Sequence, residues 1–217
     1  MNIQREIVRE CAEVDAQENT LNSEISLCSN KIDDIFSRLE AMPAAARFTL
    51  EDKKAFTLAI GKRVLNSELV PNGKIPVFSA NVREPFGYVD KLLKGFEDFG
   101  SDSILWGIDG DFMVNFIKKG YEFYPTDHCG VLRVKTGRVH PRYMAGILER
   151  EGLKIGFSRN LRASLDRVGG ITFNVPDIEA QNTAMNEVMR LEDKISENIT
   201  ALKNLSGKKE LILKKYL

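Results

Sequence analysis

The positions Ile7, Cys11, Val14, Glu18, Leu21, Ile25, Cys28, Ile32, Ile35 and Leu39 step by four and three residues without a break, and all but Glu18 are apolar. Apolar side chains that recur every 3.5 residues lie along one stripe of an α-helix, and a stripe sustained this long is a coiled-coil seam. At 1.5 Å per residue the helix would be roughly 50 Å long. Pro43 and the Ala44-Ala45-Ala46 step end it. A second run follows Pro176-Asp177 with the same alternation: Ala184, Val188, Leu191, Ile195, Asn198, Leu202, Leu205, Lys209, Ile212 and Tyr216. It is less clean, because Asn198 and Lys209 are polar and Gly207 is a point where a helix frays. Adding 177 to each seam position of the first run lands on a seam position of the second, and Gln4 lands on Gln181. The chain therefore reads as a repeated long helix with a different domain between its copies. Each helix has a single apolar stripe and needs a partner along its length. The expectation is an α+β protein: a long antiparallel two-helix coiled coil from residues 1–42 and 177–217, and an irregular mixed-sheet domain over 47–176.

Working outward, residues 47–176 alternate short apolar runs with turn residues. Thr49-Leu50-Glu51-Asp52 resembles a capping signal and predicts a short helix to about Ile60. Strands are predicted at Ile75–Ser79, Ile104–Ile108, Phe112–Ile117, Tyr121–Tyr124, Val131–Val134 and Ile171–Val175. Turns fall at Asn72-Gly73, at Gly107 to Gly110 and at Lys119-Gly120. Two further helices are predicted, Pro141–Arg150 with proline in its first turn, and Asn160–Arg167.

The chain has 217 residues with 31 basic and 31 acidic side chains, and 43% of it is hydrophobic. This excludes a mostly disordered chain. No run approaches the 18 or so consecutive apolar residues of a membrane span, and the N-terminus has the charges but not the apolar core of a signal peptide. Cys11, Cys28 and Cys129 are odd in number and without framework spacing, as expected of reduced thiols in a cytoplasm. The neutral total hides a segregation. Residues 1–46 carry 4 bases and 9 acids, whereas residues 129–170 carry 9 bases and 3 acids. A net +6 over 42 residues is a local field suited to a polyanion, although a solvated surface with uneven charge would look the same.

Catalytic constellations are not found. Gly107-Ile108-Asp109-Gly110-Asp111 lacks the lysine and serine of a phosphate loop and reads as a tight turn. Asp127-His128-Cys129 sets an acid, an imidazole and a thiol side by side, but neighbours on a strand point to opposite faces and cannot form a nucleophile–base pair. His140 precedes Pro141 and reads as a helix-entry or DNA-facing residue. Two histidines and three scattered cysteines offer no zinc site. The chain is expected to perform no chemistry and to bind no cofactor itself.

Several motifs resemble the DNA specificity subunit of type I restriction–modification systems. They are Pro76-Val77-Phe78-Ser79-Ala80-Asn81 with Pro85-Phe86-Gly87-Tyr88-Val89-Asp90, then Ser103 to Gly110, then Phe157 to Leu165, and finally Val175-Pro176-Asp177-Ile178-Glu179-Ala180-Gln181. The N-terminal Ile3-Gln4-Arg5-Glu6-Ile7-Val8 resembles the same helix start. The resemblance implies a target-recognition domain between two conserved spacer helices. Full subunits of that family hold two recognition domains, so this chain resembles half a subunit, either a natural half or a fragment. It implies sequence-specific binding of double-stranded DNA, with Ser79, Asn81 and Arg83 as base contacts in a polar loop. Lys118, Lys119, Arg138, Arg142, Arg159, Arg162 and Arg167 would be phosphate contacts. The implied partners are DNA methyltransferase (modification) subunits, which hold S-adenosylmethionine, the restriction subunit, and a second copy of the chain in a homodimer through the helices. Other readings are the specificity portion of a fused adenine methyltransferase, a methyltransferase fragment that retains its cofactor, and a coiled-coil scaffold that never touches DNA.

Overall fold

The computed structural model describes residues 2–91 and 99–216. In chain order, α1 (Asn2–Glu40) precedes the strands β1 (Ala46–Thr49), β2 (Phe56–Ile60), β3 (Ile75–Phe78), β4 (Gly87–Val89), β5 (Ser103–Gly107), β6 (Val114–Ile117), β7 (Tyr124–Pro125) and β8 (Cys129–Val134). Then come α2 (Pro141–Ile155), α3 (Leu165–Gly169), β9 (Thr172–Val175), α4 (Ile178–Ser206) and α5 (Lys208–Tyr216). They form two compact units, Met1–Ala41 with Thr183–Leu217, and Met42–Asn182.

In the helical unit every seam position of α1 from Ile7 to Leu39 is buried or half-buried, and nearly all residues between them are exposed. The second seam, Ala184 to Tyr216, behaves alike. Partners establish the direction. Asn198 Nδ2 donates to Glu24 Oε2 at 3.1 Å, Lys209 Nζ reaches Asp15 at 2.5 Å and Glu18 at 3.0 Å, and Lys215 Nζ and Tyr216 Oη both donate to Glu10 Oε1 at 2.9 Å. Numbers rise on one helix as they fall on the other, so the pair is antiparallel. The two charged interruptions of the seams, Glu18 and Lys209, pair with each other. The chain starts α4 by accepting the Glu179 N–H on Asp177 Oδ1 at 2.8 Å, and Gly207 separates α4 from α5.

The second unit, Met42–Asn182 (the head), holds three small sheets: an antiparallel pair β1–β9, a four-stranded antiparallel sheet in the order β2-β8-β5-β6, and a mixed sheet β4-β3-β7 in which β3 and β7 run parallel. The unbroken apolar run Ile104-Leu105-Trp106 suits β5 to an interior strand beside β8, with all five residues buried. One face packs Leu105 with Phe78, Val82, Phe123 and Val131. Trp106 lies so close over Gly130 that a Cβ there would stand 2.1 Å from its ring. Helix α2 packs on β5 and β6 with Tyr143, Met144, Ile147 and Leu148 buried. It outruns its predicted end and closes at Gly156, whose φ of 80° suits glycine.

The capping signal at Thr49 does not open a helix. The Asp52 carbonyl accepts the Ala55 and Phe56 N–H groups, closing a single turn, and Phe56–Ile60 pairs with Gly130–Val134 as a strand. The β-favouring Phe-Thr-Leu-Ala-Ile run outweighs the local cap. The segment Asn160–Ser164 is loop, with the helix confined to α3, and of Tyr121–Tyr124 only Tyr124 pairs, through β7.

Candidate nucleic-acid interface

Strand β5 ends at Gly107, where a Cβ would lie 2.3 Å from the Ala80 carbonyl oxygen. Glycine at this position lets the loop after β3 come against the strand. The Ile108 N–H donates to the His128 carbonyl at 3.0 Å, and the Ile108 carbonyl accepts the Ala163 N–H at 3.0 Å. Three loops therefore meet on residues 107–109: one after β3, one between β7 and β8, and one between α2 and α3.

The first loop is held tightly. Thr126 Oγ1 donates to Ser79 Oγ at 3.0 Å. Asn81 Oδ1 accepts the N–H groups of Arg83 at 3.0 Å and Glu84 at 3.3 Å, an Asx turn on an exposed residue. Val82 is fully buried, and its carbonyl accepts from Asn115 Nδ2 at 2.7 Å. Arg83 pairs with Glu149 of α2 at 2.5 Å.

In the third loop Arg162 grips Asp109 with two nitrogens: Nη2 donates to Oδ2 at 3.0 Å, and Nε meets Oδ1. His128 Nδ1 contacts the same Oδ2. Burial pushes the Asp109 carboxyl up, but the hydrogen bonds from His128 and Arg162 and their charges outweigh it and hold the carboxyl below its usual range. Arg167 Nη1 donates to the Arg162 carbonyl at 2.9 Å, and Trp106 Nε1 to the Ala163 carbonyl at 2.9 Å. Arg159 is exposed and makes no polar contact with the described residues.

Lys118 and Lys119 follow Ile117, which pairs with Ser103 at the opposite end of β5 from Gly107. Asp102 Oδ1 accepts the Lys119 N–H at 2.8 Å, and the Lys118 and Lys119 side chains are exposed without a polar partner among the described residues. Arg138 Nη2 donates to the Ala45 carbonyl at 3.0 Å, with its guanidinium 5.8 Å from the centre of the Phe48 ring. Arg142 is half-buried at the start of α2, its N–H bound to His140 Nδ1 at 3.1 Å. Burial, foremost, lowers the His140 pKa; the Asp102 charge opposes this and the Arg142 charge adds to it. The ten candidates thus fall into two groups. Asp109 and His128 belong to the first group and were passed over in the sequence, because their partners stand 19 and 53 residues apart along the chain.

Cys129 is fully buried, and burial pushes its thiol pKa up, far from thiolate formation at neutral pH. His128 turns away from it toward Asp109. Among the described residues no group of three or more His, Cys, Asp or Glu side chains could hold a metal ion, and no helix is long and apolar enough to cross a membrane.

The family model of the type I restriction modification DNA specificity domain matches residues 53–205. A comparison with curated proteins finds no match. Among solved structures, the S subunit of a type I restriction–modification system from M. genitalium is similar at 18% identity and a TM-score of 0.71, over 100% of this chain and 61% of that one. The HsdS subunit from Thermoanaerobacter tengcongensis is similar at 14% identity and 0.52, over 100% of this chain and 58% of its own. A chain from work on complex assembly and conformational transition of the type I R-M system is similar at 14% and 0.53, over 97% of this chain and 58% of its own. At these identities the likeness is one of fold, and the chain spans 61% and 58% of the first two lengths. The family model reaches from the first turn of the head deep into α4, and on that match the chain belongs to the type I restriction–modification DNA specificity domain family.

Proposed function

We propose that the chain selects a sequence in duplex DNA for a type I restriction–modification assembly. The observation that carries this reading is the family match over residues 53–205, which spans the loops meeting at Gly107–Asp109. Residues 47–176 act as the target-recognition domain, and residues 1–42 and 177–217 as the spacer. Ser79, Asn81, Arg83 and Arg162 sit on loops held by buried anchors, and readers of base edges must be held in this way; Arg159 supplies a phosphate contact, and Arg167 of α3 braces the Arg162 carbonyl beside it. Lys118, Lys119, Arg138 and Arg142 supply phosphate contacts that position the duplex without reading it. Catalysis belongs to partner methyltransferase subunits that bring S-adenosylmethionine, and the restriction subunit joins the same assembly in the cytoplasm.

The test is selection from a randomised duplex pool in the presence of the cognate methyltransferase subunit. Enrichment of one sequence class, with affinity falling steeply as salt rises, is the expected result. A pool without enrichment overturns DNA recognition and favours the scaffold reading.

A further inference from the structure

We infer that Asp109 is a positioning residue for base readout, clamping Arg162 so that the outer edge of its guanidinium reads a guanine in the duplex. This rests on the DNA-recognition reading above and goes beyond it in naming the residue that orients the reader and the base that is read.

The geometry separates two uses of an arginine. A phosphate contact gains from an unpaired charge and tolerates a mobile side chain. Base readout gains from a fixed fork, because guanine offers two acceptors, N7 and O6, at one spacing. Arg162 is of the second kind. Its charge is already matched by Asp109, and its Nε and Nη2 are taken up by the two carboxylate oxygens. Nη1 and the second Nη2 hydrogen remain, without a partner among the described residues. These form the planar end of the guanidinium, the edge that fits guanine.

The clamp is itself clamped. His128 Nδ1 holds the same Asp109 oxygen that Arg162 Nη2 uses. The backbone fastens both partners to Asp109's own loop, through the Ile108 N–H on the His128 carbonyl and the Ala163 N–H on the Ile108 carbonyl. Arg167 Nη1 donates to the Arg162 carbonyl at 2.9 Å and so holds its backbone. The Asp109 side chain is 27% exposed, whereas those of Arg162 and His128 are 55% and 50% exposed. The carboxylate lies underneath and the two nitrogen-bearing groups stand at the surface. Arg159, on the same loop, has none of this support and is the phosphate contact of the pair.

Wild type, Asp109→Asn, Arg162→Lys and Arg159→Ala would be compared on the randomised duplex pool with the methyltransferase subunit present. Asp109→Asn and Arg162→Lys are expected to lose the preference for guanine at one position by on the order of tenfold. Preferences elsewhere and the salt slope should be unchanged. Arg159→Ala should weaken binding to all sequences and lower the salt slope by about one. Arg162→Lys keeps the charge but not the fork, so it carries the test alone should Asp109→Asn fail to fold. If both variants keep the guanine preference but bind every duplex more weakly, Arg162 is a phosphate contact and the inference is overturned. An enriched wild-type sequence that Asp109→Asn reproduces unchanged also overturns it, while leaving DNA recognition standing. No enrichment by wild type overturns the DNA-recognition reading, and this inference with it.

Discussion

Gln181 Oε1 accepts the backbone N–H of His140 at 2.9 Å, deep enough that the glutamine has no exposed surface. The same side chain donates from Nε2 to the Arg138 carbonyl at 3.1 Å and to the Pro176 carbonyl at 2.9 Å. One amide thus ties the first turn of α4 to the segment that enters α2 and satisfies three backbone groups. Truncation to alanine would leave all three buried without partners, each costing about 1–3 kcal/mol. Local relaxation and water entry keep the total below the sum. Gln181→Ala is expected to lose about 3 kcal/mol in urea unfolding. A loss under about 0.5 kcal/mol would show that the bonds are replaced by water at no cost.

The helical pair makes a separate prediction. Cys28 is 4% exposed on the seam of α1, and a carboxylate there would be buried among apolar seam positions. Cys28→Asp should cost about 3 kcal/mol or more. Lys209→Ala, which removes solvent-screened ion pairs to Asp15 and Glu18, should lower the melting temperature far less than Cys28→Asp does. Comparable melting temperatures for the two variants would contradict the burial of the seam.

These two sites also show what a sequence can reveal. The seam was legible because heptad spacing is a local pattern, and every position it marks is covered in the structure. The strands Ile75–Phe78 and Ser103–Gly107 were legible for the same reason, as short apolar runs between turn residues. The pairing of Glu18 with Lys209 was not, because it needs the antiparallel register as well as the phase. Strand Phe56–Ile60 was hidden by a capping pattern that a single turn at Asp52 uses up. At the candidate site, Arg162 stood out as a basic residue in a basic stretch. Its carboxylate partner could not be found that way, because Asp109 reads as part of a turn until the loop after α2 is folded back onto it.

A homodimer through the helices would use surfaces the coiled coil leaves over. The seam of α1 is spent on α4 and α5 of the same chain, while Val8, Leu27, Ile199, Leu211 and Leu213 remain exposed on the helices. Sedimentation at micromolar concentration is expected to give a species of about twice the 24.5 kDa chain. Leu211→Glu with Leu213→Glu should return it to a monomer without loss of helix content. A wild-type chain that sediments as a monomer, with and without duplex, would refute the dimer.

Acidification should weaken the fold in two windows, with His140 contributing to the upper one and Asp109 to the lower. His140 caps α2 by accepting the Arg142 N–H on Nδ1, which requires the neutral ring, and burial lowers its pKa below the ordinary 6.5. The unfolded chain therefore takes up this proton first. The contribution is complete above 6.5 and is lost as the pH drops toward the lowered folded value. His140→Asn supplies a cap that does not titrate and should flatten this step. Asp109 behaves likewise in a lower window. Its burial raises the pKa, the bonds from His128 and Arg162 lower it further than that, and the net value lies below the ordinary 3.8. Its contribution is present above 3.8 and is lost only as the pH falls through the lowered folded value. Urea midpoints for wild type and Asp109→Asn should differ most above the ordinary 3.8 and draw together as the pH falls below it. A difference that stays constant over that interval would mean that the Asp109 carboxylate is not held by its two partners, and the clamp on Arg162 would have no electrostatic basis.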